Sequence, residues 1–325
     1  MRLVRSVAGA TALGFVLAAG LSTGPAGAQE RLTIATGSAG GVFLPLGTGM
    51  AELISDNIPG VSATAEATGG SAENVRLVGT GSSSMGLAMA DVAYYARTGT
   101  DSFEAEGAYE GLAGLMMTYT QVMHVLVPAD SDIETMADLA GKRISPGPAG
   151  SGTAFMGNIL LDVYGLTDDV RLDRLTHDQQ STALGDGRID AAFFLFPPGG
   201  AAVEAYTTAH DARFIPIDDP EAIAKISEDF PFYAPAVIAA NTYTGQDEPV
   251  DTLGVSVSLV VNADLDEETV YHITKLLNEQ SEDLVQYHNA ARAITTETAL
   301  NGMPIELHPG ARRYYEEIGH EGLKN

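Results

Sequence analysis

One arrangement, met twice in the chain, restricts its fold more than any other: a short apolar run, a glycine-rich turn, then a helical stripe. The turns are Thr36-Gly37-Ser38-Ala39-Gly40-Gly41 and Gly147-Pro148-Ala149-Gly150-Ser151-Gly152-Thr153, entered from strand-like residues 31–36 and 143–145. Leu46, Met50, Leu53 and Ile54 recur at helical spacing after the first turn, and Met156, Ile159, Leu160 and Val163 after the second. Glycine lets the backbone turn sharply and approach a ligand closely, while the first amides of the following helix have no intrahelical partners and are free to meet an anion. Two such turns predict two walls of one binding cleft.

The pattern between and beyond the turns extends this alternation. Residues 61–67 and 85–90 read as strands; residues 71–78 read as a helix capped by Ser71, and Asp91 is placed to cap a helix carrying Val92, Tyr95 and Ala96. Strand and helix in regular succession argue for a largely parallel sheet covered by helices. Residues 121–127, 191–196 and 255–261 read as further strands, and 136–139 as a short helix. Residues 267–292 are expected to form the longest helix, and the tail 309–318 a short one supported by Arg312 and Glu316 at i, i+4. The expected organisation is an α/β protein of two αβ lobes, residues 29–125 plus 255–325 and residues 126–254. No long linker separates them, so they should hinge as rigid bodies around the cleft.

Residues 1–5 carry positive charge, 7–21 are apolar, and Ala26-Gly27-Ala28 offers a small-residue cleavage site, which predicts an export signal removed near Ala28. Nothing later is apolar for long enough to span a bilayer. With 45% hydrophobic and 18% charged residues the remainder can build substantial cores. Cysteine is absent, which excludes disulfides, thiolate metal sites, a cysteine nucleophile and a lipid-anchored cysteine. The expected product is a free, monomeric, periplasmic protein. Its formal net charge of -26 repels nucleic acid and anionic lipid. An anionic ligand remains compatible, because local dipoles in a closed cleft outweigh distant, screened charges.

Catalytic signatures are missing. Ser38, Ser71 and Ser151 lack the flanking glycines of a G-x-S-x-G elbow, and the turn before Thr153 lacks the Gly-Lys-Ser/Thr of a nucleotide loop. The seven histidines show no paired ligand spacing, so neither metal nor cofactor is expected. What remains are uncharged hydrogen-bonding groups on or beside the turns: Ser38, Thr68, Ser71, Asn74, Ser151 and Thr153. Each suits ligand capture, and each also suits helix capping. Phe43 sits beside the first turn and fits a ligand's carbon chain; Phe193, Phe194 and Tyr243 are further aromatic candidates, with the two phenylalanines in a buried run better suited to the core. Micromolar affinity needs about 8 kcal/mol, whereas one helix end supplies roughly 0.3–1, rising to about 2 when partly buried. Several charge-assisted hydrogen bonds and cleft closure must therefore contribute.

Six motifs in order resemble the TAXI solute receptors of TRAP transporters over nearly the whole predicted mature chain. They are Ile34-Ala35-Thr36-Gly37 with Gly40-Gly41-Val42-Phe43; Thr68-Gly69-Gly70-Ser71-Ala72-Glu73-Asn74; Ala129-Asp130-Ser131 with Asp138-Leu139-Ala140-Gly141-Lys142-Arg143; residues 147–153; Asp186-Gly187-Arg188-Ile189-Asp190-Ala191; and His308-Pro309-Gly310-Ala311. The resemblance implies a type II periplasmic binding protein fold. It also implies a small organic anion as ligand, such as glutamate, 2-oxoglutarate or a related dicarboxylate, delivered to a membrane-embedded TRAP permease driven by an ion gradient. Contacts carried over by motif are Gly40, Gly41, Val42, Phe43, Ser71 and Asn74 in the first lobe, and Ser151, Gly152 and Thr153 in the second. Phe43 stands where the family commonly has tyrosine, and the segment Leu195-Phe196-Pro197-Pro198-Gly199 departs from the family's pattern, so ligand identity stays open. Two alternatives keep the fold: an exported enzyme acting on a small carboxylic acid, with Asp91, His124 or Asp190 as its reactive group, and a ligand sensor for a membrane kinase.

Overall fold

The computed structural model describes residues 29–324, so the expected export signal lies outside the described residues. The chain opens with three βα units: β1 (Glu30–Ala35) and α1 (Phe43–Asn57), β2 (Val61–Glu66) and α2 (Ser71–Gly79), β3 (Met85–Met89) and α3 (Ala90–Thr98). Strand β1 lies parallel to β2 on one side and β3 on the other. The long β4 (Leu112–Pro128) then leads to β5 (Arg143–Ser145), α4 (Gly152–Val163), β6 (Arg171–Leu172), α5 (His177–Gly185) and β7 (Ala191–Phe196). Here β5 is parallel to both β6 and β7. Next come α6 (Ala201–Ala209), β8 (Ala212–Phe214), α7 (Pro220–Asp229), β9 (Ala234–Ile238), β10 (Val250–Asn262), α8 (Glu267–Glu279) and α9 (Pro309–Glu317).

All ten strands join one sheet whose main path runs β2-β1-β3-β10-β4-β7-β5-β6. The two parallel groups occupy its ends, and the antiparallel pair β4 and β10 lies between them. A strand of 17 residues spans about 56 Å, so β4 runs through both halves: its first part pairs with the end of β10, its last part with β7 and β8. The register of β10 on β4 slips between Ser256 and Ser258 and again between Leu259 and Val260. Such bulges bend a strand and raise its twist.

Helices cover both faces, and the side-chain alternation of the strands divides the core accordingly. Phe194 and Phe196 belong to one apolar layer with Leu46, Met50 and Ile273, while Phe193 and Leu195 belong to the other with Val75, Val92 and Leu160. Each layer draws residues from both ends of the sheet.

Local expectations fail at four places, each for a reason visible in the packing. Ser71 is the first residue of α2 and not its cap; that place falls to Gly70, at φ +115°, where a side chain is strained. The Ser71 hydroxyl instead accepts the Met89 amide at 3.1 Å. Asp91 does not cap α3 either: it lies in the first turn, fully buried, and accepts a hydrogen bond from the Tyr233 hydroxyl. The helix expected over 267–292 stops at Glu279, and α1, with 15 residues, is longer. Beyond Gln280 the chain folds into 3-10 turns that bury Leu284 and Ala291 and return to β4, where the Ala299 carbonyl accepts the Met117 amide. In the tail it is Arg313, not Arg312, that pairs, reaching Glu267 and Glu268 across to α8.

Candidate functional site

The two glycine turns and two further helix starts converge on one cleft. Its lining comprises Gly37, Ser38, Gly41, Val42 and Phe43 at the start of α1, Gly69 to Ser71 at the start of α2, Ser151 to Thr153 at the start of α4, His177 at the start of α5, and Gln121 and Leu195 from β4 and β7. About 370 Å3 lies between these atoms, part of it open to solvent. Among the described residues, neither lysine nor arginine lines it. The N-terminal ends of four helices meet there, and their aligned peptide dipoles supply the positive electrostatic character instead.

The four helix starts are not equivalent. Helices α1 and α2 begin without a side-chain cap. At α4 the Ser151 hydroxyl accepts the Ala154 amide at 3.0 Å and donates to the Pro148 carbonyl at 2.7 Å. At α5 Thr176 and Gln179 form a reciprocal capping box. The first amides of α2 are met from across the cleft: the Gly150 carbonyl accepts from Ala72 at 3.0 Å and Glu73 at 3.4 Å. The turn from the second half of the chain therefore seats on α2, and the cleft is closed. Gly69 is pressed against this contact, since a Cβ there would lie 2.3 Å from the Ala149 carbonyl oxygen.

His177 ties the other rim. Its Nδ1 stands 3.5 Å from Ser38 Oγ of the first turn, and its Nε2 stands 3.3 Å from Thr153 Oγ1 of the second. Behind it the ring packs on Phe194 and Phe196, at 6.0 and 5.4 Å between centroids. Burial lowers its pKa to about 4, so the ring is neutral at physiological pH. Both ring nitrogens face hydroxyls and no carboxylate orients the imidazole, so the third member of a nucleophilic triad is missing.

Of the twelve candidate ligand residues, Ser38, Gly41, Val42, Phe43, Ser71, Ser151, Gly152 and Thr153 come together in the cleft. Gly40, Thr68, Asn74 and Phe194 stand outside its lining. Gly40 packs on the Asp178 carboxylate. Thr68 donates to Asn74 Oδ1 at 2.6 Å, and the Asn74 amide donates to the Thr36 and Leu87 carbonyls at 2.6 and 2.7 Å. That buried tie fixes the start of α2 against β1 and β3. Phe194 belongs to the core, as do Phe193 and Tyr243. Tyr243 stands 2.9 Å from His124 Nε2 and accepts the Gly199 amide at 2.9 Å, and His124, with its Nδ1 2.9 Å from the Val122 carbonyl, is a satisfied core histidine.

Gln121, His177 and Leu195 were not singled out by sequence. Gln121 is 4% exposed, and its carboxamide has no hydrogen-bond partner among the described residues. None of the reactive groups considered for an enzyme lines the cleft. Asp190 is held by Arg143 through Nε at 3.0 Å and a second guanidinium nitrogen at 2.5 Å. Among the described residues no cluster of three or more His, Cys, Asp or Glu is arranged to hold a metal ion, and no helix is long and apolar enough to cross a membrane.

Residues 34–319 match the model of the NMT1-like family. The chain belongs to that family. Among solved structures it is similar to a protein from Bordetella bronchiseptica RB50, with a TM-score of 0.56 and 17% identity over 89% of this chain and 98% of that one. It is also similar to a putative L-cystine ABC transporter protein from Listeria monocytogenes (TM-score 0.48, 14% identity, 83% of this chain and 98% of that one). The periplasmic aliphatic sulphonate binding protein SsuA from Escherichia coli follows (TM-score 0.43, 15% identity, 90% and 88%). The fold of this NMT1-like chain is a mixed α/β fold built on one long sheet, shared with the Bordetella bronchiseptica protein.

Proposed function

We propose that the protein is an exported solute receptor that closes over a small organic anion and presents it to a membrane permease. The observation that carries this reading is the convergence of four helix starts and uncharged hydroxyls on a closed, lysine- and arginine-free cleft. Four helix ends at about 1 kcal/mol each supply roughly half of what micromolar binding needs. Hydroxyl and amide hydrogen bonds to a charged ligand, at about 1.5–3 kcal/mol each, provide the remainder. A carboxylate fits this donor-rich surface, with Phe43 and Leu195 against its carbon chain; the TAXI-like motifs favour glutamate, 2-oxoglutarate or a related dicarboxylate, and a TRAP permease as partner.

In this reading the lobes divide near residues 125/126 and 254/255, in β4 and β10, and the molecule works in the periplasm without turnover of its ligand. A ligand shifts the open–closed equilibrium only by its preference for the closed form. Ligand-stripped protein should therefore gain thermal stability, about 2.7 kcal/mol at a hundredfold excess over Kd, from one or more members of a panel of amino, keto and dicarboxylic acids. A flat melting curve across the panel overturns the proposal. Vesicle transport assays with any permease encoded beside this chain would separate an ion-gradient system from an ATP-driven one, and release of a chemically altered ligand would point to the enzyme alternative.

A further inference from the structure

Resting on the receptor reading, we infer that His177 supplies the positive charge for the bound anion, so that each capture event takes up one proton from solvent onto its ring. The hydrogen-bond arrangement argues for this directly. Neutral imidazole has one N–H and one bare nitrogen, and here the nitrogens face Ser38 Oγ and Thr153 Oγ1. A hydroxyl opposite the bare nitrogen must turn its hydrogen toward the ring. Once both nitrogens carry protons, both hydroxyls accept from the ring and both are free to donate to the ligand. Two hydroxyl donors on the anion, one from each glycine turn, thus require the imidazolium.

Among the described residues that line the cleft, His177 is the one side chain able to provide that charge. The first turn contributes Ser38, α4 contributes Thr153, and β7 contributes Phe194 and Phe196, none of them ionisable near neutrality. Asp178, next on α5, is exposed and packs on Gly40; Glu73 on the facing wall is committed to the Gly69 amide at 2.6 Å. His124 lies behind Phe196, fully buried and held neutral.

The sign follows from linkage. The ordinary imidazole value is about 6.5, and in the empty cleft burial lowers that of His177 and holds the ring neutral. An anion at its edge favours the charged form. Affinity should consequently fall as pH rises between the free and bound values, by about tenfold from pH 6 to pH 8.

The test uses full-length mature protein and four anions: 2-oxoglutarate, L-glutamate, succinate and inorganic sulfate. Calorimetry in two buffers of different ionisation enthalpy reads proton uptake, and each anion that binds is followed from pH 6 to pH 8. The expected result is uptake approaching one proton at pH 7.5 and the tenfold pH effect, both lost in His177→Gln. Binding by wild type with no uptake and no pH dependence overturns the role of His177 and leaves the receptor reading standing; so does uptake that persists in His177→Gln. Absence of binding by all four anions at every pH overturns the anion reading and this inference with it. Wild-type uptake is read independently of whether the variant folds.

Discussion

A single absent methyl group governs how the cleft shuts. Gly69 does not use the left-handed backbone region, and an added Cβ would meet the end of the flexible Glu73 side chain at 2.9 Å, which can move aside, and the Ala149 carbonyl oxygen across the cleft at 2.3 Å, which is fixed backbone. Overpacking of this kind costs about 1–3 kcal/mol, here charged to closure and not to folding. Gly69→Ala should lower ligand affinity tenfold or more with the ligand-free melting temperature nearly unchanged; an equal loss of both would mean that Gly69 serves the fold. Thr153→Ala removes one hydroxyl donor from the cleft and should weaken binding by about 1 kcal/mol. Ser151→Ala should instead lower stability by about 1 kcal/mol with a smaller effect on binding, because that hydroxyl caps α4 and spends its hydrogen on the Pro148 carbonyl. Titration calorimetry alongside denaturant unfolding separates the two effects.

The same residues show what a sequence can reveal about a site. Ser38, Phe43, Ser151 and Thr153 are legible because each adjoins a glycine turn, a local feature with its own chemical logic. Gln121 and His177 are illegible because nothing local marks them. Gln121 interrupts an apolar strand, and His177 follows a threonine in a polar loop; only the pairing of β4 with β7 and the seat of α5 bring them to the cleft. Thr68 and Asn74 show the converse: hydrogen-bonding residues at the right turn that the fold spends on its own buried carbonyls.

Among elements, the start of α3 makes a second tie to the later part of the chain. Asp91 is buried there and bonded to Tyr233, which precedes β9, while Tyr95 on α3 stacks on Phe155 of α4 at 6.0 Å. Burial raises the Asp91 pKa to about 6, against 3.8 for the unperturbed group, with the Tyr233 hydrogen bond opposing the rise. A carboxyl whose folded pKa is raised stabilises the fold most below its unfolded value, and that contribution is lost as pH rises through about 6. Its loss amounts to about 3 kcal/mol. Unfolding free energies of wild type and Asp91→Asn should therefore diverge with pH, the wild type losing stability relative to the variant between pH 4 and pH 6.5. A constant difference would show that Asp91 has an ordinary pKa. The βα units themselves were readable from apolar period and glycine punctuation, since those signals are short-range. The true end of α8 was not, because the stripe of Val270, Ile273 and Leu277 continues in register to Leu284 while the chain has already turned back to β4.

At the scale of the whole molecule, two motifs that look unrelated in sequence meet to stiffen the parallel group of β5, β6 and β7: Arg143 is joined to Asp190, the residue before β7, by two side-chain hydrogen bonds and one from the Arg143 amide. Helices cover both faces of each parallel group, so deformation should concentrate where β4 and β10 cross with their register slips. If the lobes move as rigid bodies about that crossing, a distance between them changes while distances within each stay fixed. The natural absence of cysteine makes this measurable without background labelling. Spin labels on Thr80→Cys, at the end of α2, and Asp162→Cys, in α4, occupy exposed positions on the two lobes of the proposed division. Pulsed dipolar spectroscopy should give a broad, longer distribution for ligand-stripped protein and a narrow, shorter one with a carboxylate that raises the melting temperature. Adding Gly69→Ala should keep the distribution long even at saturating ligand, because closure and not capture is what that methyl group opposes. An unchanged distribution in the parent pair, despite thermal stabilisation by the same ligand, would place binding in a permanently closed molecule and remove the hinge from the mechanism.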